Sequence, residues 1–204
     1  MVWIVGDETI DGSETGTSFR QALFFMTTGF YLHDTMIYER TPSYPSGERS
    51  NRYSQSFEYM FVFSKGKPKT FNLIKDRQNR WGGLSSFGTQ SETLKNGDKK
   101  VRKKIQVSKT GVRYNIWNYA TGKGFSSNDE TSHPAIFPES LAEDHIHSWS
   151  NEGDLVYDPL MGSGTTAKMA HLQNRNWVGS EISEEYCKVA EKRLRPYLQQ
   201  TKLL

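Results

Sequence analysis

An apolar strand followed by a glycine turn is the feature that most constrains the fold of this chain. The run Leu-Val-Tyr at residues 155–157 lies between two aspartates, as expected of a buried parallel strand that ends at a ligand crevice. Gly162 and Gly164 allow a tight turn and close approach of a ligand to the backbone, since neither carries a Cβ. Thr165 or Thr166 can then begin a helix. The pattern predicts a strand, a turn and a helix whose N-terminus meets a ligand.

A second apolar strand starts at Trp177 and Val178 and leads to Glu181. A carboxylate at such a strand end can accept hydrogen bonds from both hydroxyls of a ribose, so the pattern indicates a site for the adenosine half of a cofactor. Two cofactors remain open on these residues, a dinucleotide and S-adenosylmethionine. Asp158 would repel a pyrophosphate and suits a cationic ligand that bears an amino acid, which favours S-adenosylmethionine.

The rest of the chain alternates strands with helices, which predicts an α/β fold. We expect strands at residues 2–5, 35–39 and 57–63. We expect one helix from Thr17, as its N-cap, toward Thr28 with Gly29 as the stop, and another from Pro138 and Glu139 through Trp149. A last amphipathic helix carries Cys187, and this single cysteine excludes an internal disulfide framework.

The net charge of +3 conceals a basic segment. Residues 65–123 contain 15 Lys or Arg against three acids, a net charge of +12, and the other residues carry −9. Basic residues interleaved with aromatics predict a surface for nucleic-acid phosphates and exposed bases, although a solvated charged loop is the alternative for the run at residues 99–104. We expect Trp117 and Tyr119 to form a small core of this segment. The candidate contacts to nucleic acid, which the resemblance described below identifies as DNA, are Lys99, Lys100, Arg102, Lys103, Lys104, Lys109 and Arg113.

The stretch Asp158-Pro-Leu-Met-Gly-Ser-Gly-Thr-Thr166, preceded by residues 133–145, resembles the cofactor-binding half of the DNA amino-methyltransferases that modify adenine N6 or cytosine N4. It resembles the permuted (beta-type) group, in which the catalytic half comes first, a target recognition region follows and the cofactor turn lies near the C-terminus. Leu160 departs from this pattern, since the family usually has Phe there. The resemblance implies a Rossmann-like methyltransferase fold that uses S-adenosylmethionine and acts on double-stranded DNA with a flipped target base.

The resemblance also implies a division of the chain and a set of cofactor contacts. Residues 1–64 would be the remainder of the catalytic half, 65–130 the target recognition insertion and 131–204 the cofactor-binding half. The segment before the second half lines the methionine side of the pocket in that family, which adds Leu141 as a candidate. The expected cofactor-binding residues are Phe137, Pro138, Asp158, Leu160, Gly162, Ser163, Gly164, Thr165, Glu181 and Ile182.

The related enzymes hold the flipped base with an Asp/Asn/Ser-Pro-Pro-aromatic tetrad, and we do not find this tetrad in the sequence. The nearest match, at residues 41–44, has Thr first and Ser in place of the second proline. We therefore assign no catalytic residue and expect that the catalytic strand lies upstream of Met1, so that the fold is incomplete at its N-terminus and this portion alone is inactive. The sheet would then have a gap between the strands at Val2 and Leu155. Either these two strands pair directly, or an upstream segment or a second copy completes the sheet, or this portion is only marginally stable alone.

The leading hypothesis is a site-specific DNA methyltransferase that acts on an exocyclic amine, with adenine N6 favoured and cytosine N4 as the alternative. A DNA-binding or assembly module without its own catalysis is a second hypothesis, and a nicotinamide-dependent dehydrogenase is a distant third. We expect no metal site, since His133, His145 and His147 lack a partnering carboxylate pattern. We expect no membrane association and a cytoplasmic, bacterial or phage-like setting.

Overall fold

The computed structural model describes residues 1–41, 51–85, 91–101, 106–120 and 138–199. The chain divides into a larger unit, Met1–Asn72 with Asn115–Leu204, and a smaller unit, Leu73–Tyr114. The strands are β1 Val2–Val5, β2 Thr9–Ile10, β3 Ser13–Glu14, β4 Tyr31–Thr41, β5 Phe57–Ser64, β6 Arg77–Gln78, β7 Ser91–Thr93, β8 Lys99–Val101, β9 Thr110–Gly111, β10 Ile116–Ala120, β11 Leu155–Asp158 and β12 Asn176–Gly179. The helices are α1 Thr17–Thr27, α2 Glu139–Trp149, α3 Thr165–Leu172 and α4 Glu184–Gln199.

The larger unit contains a four-stranded sheet in the order β1-β5-β4-β10. Strand β5 lies inside this sheet and is buried on both faces, which explains its unbroken apolar run at residues 60–63. On one face, Phe61 and Phe63 pack against Ala22 of α1. On the other face, the sulfur of Met60 lies 3.1 Å from Nε2 of His145 of α2. The sheet is therefore covered by α1 on one side and by α2 on the other.

A second sheet of the larger unit pairs β11 with β12 in parallel. Helices α2 and α3 cover it through a buried cluster, against which two partly buried side chains of the strands pack. The members of this cluster are Ala142, Ile146, Met169 and Ala170, with Val156 and Trp177 against them. Helix α2 thus contacts both sheets, and these strand-helix-strand units confirm the predicted α/β fold.

The prediction for Trp117 and Tyr119 is wrong, because both residues lie on β10 in the four-stranded sheet. Strand β10 pairs in parallel with β4, with Trp117 opposite Tyr38. Trp117 is buried, and its ring centroid lies 4.6 Å from that of His145. Trp117 and Tyr119 therefore belong to the larger unit, outside the smaller unit that carries most of the basic residues.

The predicted helix near Thr17 is confirmed, but its N-cap is not Thr17. Gly16 occupies the cap position in a left-handed conformation with φ 61°, which glycine adopts without strain. The side chain that serves the first turn comes instead from Asp7, whose Oδ1 accepts the backbone N–H of Ser18 across 3.0 Å. A cap supplied from ten residues before the first residue of the helix leaves no local sequence signature.

The strand predicted at residues 35–39 is longer in the structure and runs as β4 from Tyr31 to Thr41. It pairs with β5 along nearly its whole length, with one irregularity between Leu32 and Asp34. The polar residues near its start did not suggest a strand, and pairing with a neighbour overrides that local preference.

The smaller unit is built from short antiparallel pairs, β6 with β9 and β7 with β8. Gly82 lies so close to the chain at Lys109 that an added Cβ would be 2.7 Å from the Lys109 Cα. Arg113 forms a salt bridge with Asp76 and donates from Nε to both carboxylate oxygens at 3.1 Å. Within the described ranges of either unit, none of the helices has both the length and the apolar character that crossing a membrane requires.

Candidate functional site

The carboxyl ends of β11 and β12 bring the glycine turn, residues 158–165, next to the residues that follow β12. Asp158 lies opposite Gly179 in the parallel register. The backbone N–H of Ser180 donates to the carbonyl of Asp158, and that of Met161 donates to the carbonyl of Ser180, each across 2.9 Å. The two strand ends are therefore locked together where an α/β sheet binds its ligands.

The two glycines of the turn adopt positive φ angles, 52° for Gly162 and 81° for Gly164. Gly164 is the N-cap of α3, so the helix begins at Thr165, in agreement with the prediction. A Cβ added to Gly164 would lie 3.1 Å from the Cβ of Ala190 of α4. Glycine is thus required here both by the conformation and by the closeness of α4.

Glu181 holds the turn through its carboxylate. Its Oε2 accepts the backbone N–H of Gly162 across 2.8 Å, and its Oε1 accepts that of Ser183 across 2.9 Å. Asp158 plays a similar local role, since its Oδ1 accepts the N–H of Leu160 across 3.0 Å. The structure therefore brings together Asp158, Glu181 and the glycines, which the sequence predicted as one site.

The side chains of Ser163 and Thr165 are buried and face α4. The hydroxyl oxygens of both residues accept hydrogen bonds from Nη1 of Arg193, across 3.2 Å for Ser163 and 2.9 Å for Thr165. Ser163 and Thr165 can therefore contact a ligand mainly through their backbone atoms.

Two apolar side chains of the predicted site are solvent-exposed. Leu160 is 72% exposed and Ile182 is 102% exposed, although large aliphatic side chains are usually covered. Pro138 is buried and forms the N-cap of α2, and Leu141 is completely buried in the core. Phe137 lies outside the described residues.

A cleft of about 830 Å³ opens beside the glycine turn, and we call it the edge cleft. Its walls come from β1, β11, the turn and one face of α2. The helix contributes Ala142, His145, Ile146 and Trp149. Burial lowers the pKa of His145 to about 4, against a smaller opposing effect of the Asp144 charge, so its imidazole is neutral at pH 7.

The candidate DNA contacts lie on the smaller unit. Lys99 and Lys109 are exposed, and Lys100 lies in β8. Arg113 is engaged with Asp76, which gives its guanidinium a structural partner inside the unit. Arg102, Lys103 and Lys104 lie outside the described residues. Two cations also stack on aromatic rings, Arg77 at 4.5 Å from Tyr114 and Arg80 at 5.2 Å from Trp81.

A buried charged group behind the turn, formed by Glu139, Lys168 and Arg193, was not predicted from the sequence. A signal for Arg193 does exist, because it falls on the apolar stripe of α4 beside Ala190 and Leu194, at helical spacing. A cation in such a stripe needs a buried partner.

Comparisons with known proteins agree with this geometry. A family model described as DNA methylase, of the N6_N4_Mtase family, matches residues 1–192. The orphan methyltransferase M.BamHII of Bacillus amyloliquefaciens is 56% identical over 203 residues, which cover 97% of this chain and 75% of that protein. The type II methyltransferase M.SmaI of Serratia marcescens is 30% identical over 88% of this chain and 51% of that protein. The chain thus spans about half the length of M.SmaI.

The fold is similar to that in the crystal structure of the M1.HpyAVI–SAM complex. The TM-score is 0.59 at 24% identity, over 95% of this chain and 74% of that one. Sequence and fold therefore agree, and the chain belongs to the N6/N4 DNA methylase family.

Proposed function

We propose that this chain carries the S-adenosylmethionine site and the DNA-contacting region of a DNA amino-methyltransferase, with adenine N6 as the favoured target and cytosine N4 as the alternative. The observation that carries the proposal is the convergence of Asp158 and Glu181 on the glycine turn. Membership of the N6/N4 DNA methylase family supports it.

The residues at the turn fit the groups of this cofactor. Both carboxylate oxygens of Glu181 lie at the turn, where they accept backbone N–H groups, and a carboxylate has enough lone-pair sites to accept a ribose hydroxyl as well. Asp158 uses Oδ1 for the amide of Leu160 and also keeps capacity for an ammonium group. Leu160 and Ile182 offer exposed apolar surface for a flat adenine ring.

When bound, S-adenosylmethionine supplies a methyl group on a sulfonium centre. The residues of this chain bind the cofactor and orient it. Glu181 fixes the ribose, Asp158 attracts the cationic end of the amino acid, and the turn sets the depth at which the ligand lies. Holding the reacting groups in a fixed geometry is itself a large contribution to rate.

The edge of β1 that borders the edge cleft has backbone groups available for another strand. Met1 and Phe63 exchange both backbone hydrogen bonds, at 2.7 and 2.8 Å. In an antiparallel pair the bonded positions alternate, so Trp3 and Val5 also face β5. The N–H and C=O groups of Val2 and Ile4 therefore point away from β5, on the side where residues 1–4 line the edge cleft.

The edge of β11 has the same property. The carbonyls of Asp154 and Asp158 accept hydrogen bonds from the β12 side, so alternate residues face β12. The backbone groups of Leu155 and Tyr157 point the other way, and both residues line the edge cleft. Backbone groups at such edges pair with water or with a further strand.

We propose that one extended strand pairs with both edges and brings the groups that hold the target base. The strand comes from a proposed segment before Met1 or, as the alternative, from a second copy.

Hydrogen exchange tests this in a longer version of the chain, by which we mean one that carries the proposed upstream strand. The amides of Ile4 and Tyr157 are expected to become protected, whereas Trp3 and Val156, which face β5 and β12, serve as controls. If the amides of Ile4 and Tyr157 exchange at the same rates in the shorter and the longer version, the proposed strand pairing is wrong.

The smaller unit supports the DNA part of the proposal through its charge. Residues 73–114 contain 11 Lys or Arg against three acids. We propose that Lys99, Lys100, Arg102, Lys103, Lys104, Lys109 and Arg113 supply phosphate contacts, and the exposure of Lys99 and Lys109 favours them among the described residues.

A methylation assay on duplex DNA with S-adenosylmethionine tests the activity. If the protein is an enzyme, the longer version is expected to transfer a methyl group to adenine N6 or to cytosine N4. Analysis of the methylated base distinguishes these two products. A DNA-binding or assembly module predicts salt-sensitive DNA binding without transfer. The outcome that contradicts the proposal is DNA binding and cofactor binding by a folded longer version that transfers no methyl group to any duplex offered.

A further inference from the structure

Three charged side chains form a buried network behind the glycine turn. The side chain of Arg193 of α4 is 3% exposed, and that of Lys168 of α3 is 5% exposed. Both cations contact the same oxygen, Oε1 of Glu139 at the start of α2, with Lys168 Nζ at 2.7 Å. One carboxylate thus joins α2, α3 and α4.

Glu139 and Lys168 both stay charged at neutral pH. Burial alone would raise the pKa of Glu139, but hydrogen bonds from Lys168 and Arg193 outweigh it and hold that pKa below its usual value. Burial alone would lower the pKa of Lys168, but its hydrogen bonds with Glu139 and Tyr197, together with the charges of those two groups, outweigh burial and raise that pKa above its usual value. Buried ion networks are a poor source of net stability compared with apolar packing. The role of this network is therefore better sought in the geometry that it imposes on its neighbours than in net stability.

Arg193 reaches the turn itself. Its Nη1 lies 3.2 Å from the Ser163 carbonyl oxygen, 3.2 Å from the Ser163 hydroxyl and 2.9 Å from the Thr165 hydroxyl. A guanidinium is planar and holds its donors in a fixed fork. Because its Nη2 donates to Glu139, the orientation of the guanidinium is set before any ligand is bound.

Helix α4 also packs directly on the turn. Gly164 has room for no larger residue, since an added Cβ would lie 3.1 Å from Ala190 Cβ and 3.7 Å from a methyl carbon of Leu194. Arg193 lies between these two residues on α4. The turn is therefore fixed from α4 by contact and by hydrogen bonds, and from β12 by Glu181.

We propose that Arg193 is a positioning residue for the cofactor. It holds residues 162–165 in the ligand-binding conformation while Glu139 and Lys168 hold Arg193. The inference rests on the proposed function only in naming S-adenosylmethionine as the ligand of the turn. Its direct consequence is a local one: without Arg193 the turn opens more often, and the ligand must then order it on binding.

Hydrogen exchange in the absence of cofactor tests the positioning role. Arg193→Met is compared with Arg195→Met, an exposed arginine on the same helix. We expect the amides of Gly162 and Gly164 to exchange about tenfold faster in Arg193→Met, as the loss of hydrogen bonds from a charged donor implies. In the longer version the affinity for S-adenosylmethionine is expected to fall by a similar factor while DNA affinity is unchanged. Arg195→Met is expected to match the unsubstituted protein in every readout.

Arg193→Lys provides the test if Arg193→Met does not fold. Lysine keeps the charge beside Glu139 but lacks the fork that spans Ser163 and Thr165, so exchange at the turn is expected to rise here too. Exchange at Gly162 and Gly164 that equals that of the Arg195→Met control, in either variant, overturns the inference. A change in exchange together with an absence of cofactor binding by the unsubstituted longer version would instead contradict the proposed function alone.

Discussion

The carboxylate of Glu181 accepts the backbone N–H of Gly162 across 2.8 Å, although the two residues are 19 positions apart. The acid that follows one strand is thereby attached to the turn that follows the neighbouring strand. The same carboxylate accepts the N–H of Ser183. Glu181 thus has two roles, one in shaping the turn and one in the proposed contact with ribose.

Replacement of Glu181 is expected to weaken cofactor binding more than it weakens the fold. Glu181→Gln keeps one acceptor oxygen but places an NH₂ group where a second acceptor is needed. We expect the affinity of the longer version for S-adenosylmethionine to fall at least about tenfold, which calorimetric titration measures. Glu185→Gln, at an exposed position on α4, is the control. Equal affinity of the two variants would remove Glu181 from the cofactor site.

Gly164→Ala is expected to destabilise the chain through both conformation and contact. The positive φ costs about 1–2 kcal/mol for a residue with a Cβ, and the contact with Ala190 adds a further penalty of about 1 kcal/mol or more. Gly153→Ala is the matched control, since Gly153 has φ 84° and nothing within 4 Å of an added Cβ. Urea unfolding measures the difference between the two variants. A smaller loss for Gly164→Ala than for Gly153→Ala would contradict the close packing of α4 on the turn.

The glycine turn was predictable from the sequence because all of its determinants are local. Strand, glycines and helix start lie within residues 155–166, and only Glu181 has to be found at a distance. The network of Glu139 and Arg193 was not predictable in this way, because its partners are 54 positions apart and meet only after α2 and α4 pack. The placement of β10 failed for the same reason. Its pairing with β4 joins residues about 80 positions apart, whereas its composition matches that of the basic segment.

Asp7 is expected to stabilise α1 in a manner that depends on pH. Burial would raise the pKa of Asp7, but hydrogen bonds from Ser18 and Thr15 outweigh this and lower it below 3.8. The contribution is therefore present above pH 3.8 and is lost as the pH falls through the lower pKa of the folded state. Asp7→Ala is expected to cost about 1–2 kcal/mol at pH 7, as the loss of a helix cap does.

Urea unfolding of Asp7→Ala and of Glu8→Gln, at an exposed neighbouring acid, measures this cost. The difference between Asp7→Ala and the unsubstituted protein should narrow at acid pH. A constant difference from pH 7 to pH 3 would show that the carboxylate charge of Asp7 does not matter to α1.

His145 is expected to make the fold sensitive to a different pH range. Its pKa is about 4 in the folded chain, chiefly because of burial, against 6.5 for an ordinary histidine. Below pH 6.5 the imidazole of His145 therefore binds a proton in the unfolded chain but not in the folded chain. The contribution of neutral His145 to the free energy of unfolding is fully present above pH 6.5 and is lost between pH 6.5 and 4. The loss amounts to about 3 kcal/mol by pH 4.

Unfolding free energies measured across that range check this prediction. His145→Leu is expected to remove the decline between pH 6.5 and 4, whereas His147→Leu, at an exposed position of the same helix, is expected to keep it. A decline that persists in His145→Leu would assign the sensitivity to other groups.

Binding of S-adenosylmethionine at the glycine turn is the central claim of the proposed function. Calorimetric titration of S-adenosylmethionine into a folded longer version, which carries the proposed upstream strand, tests this directly. We expect one molecule bound per chain, with NAD giving no comparable binding. A folded longer version that binds no S-adenosylmethionine, or that binds NAD more tightly, would contradict the assignment of the Asp158 and Glu181 site.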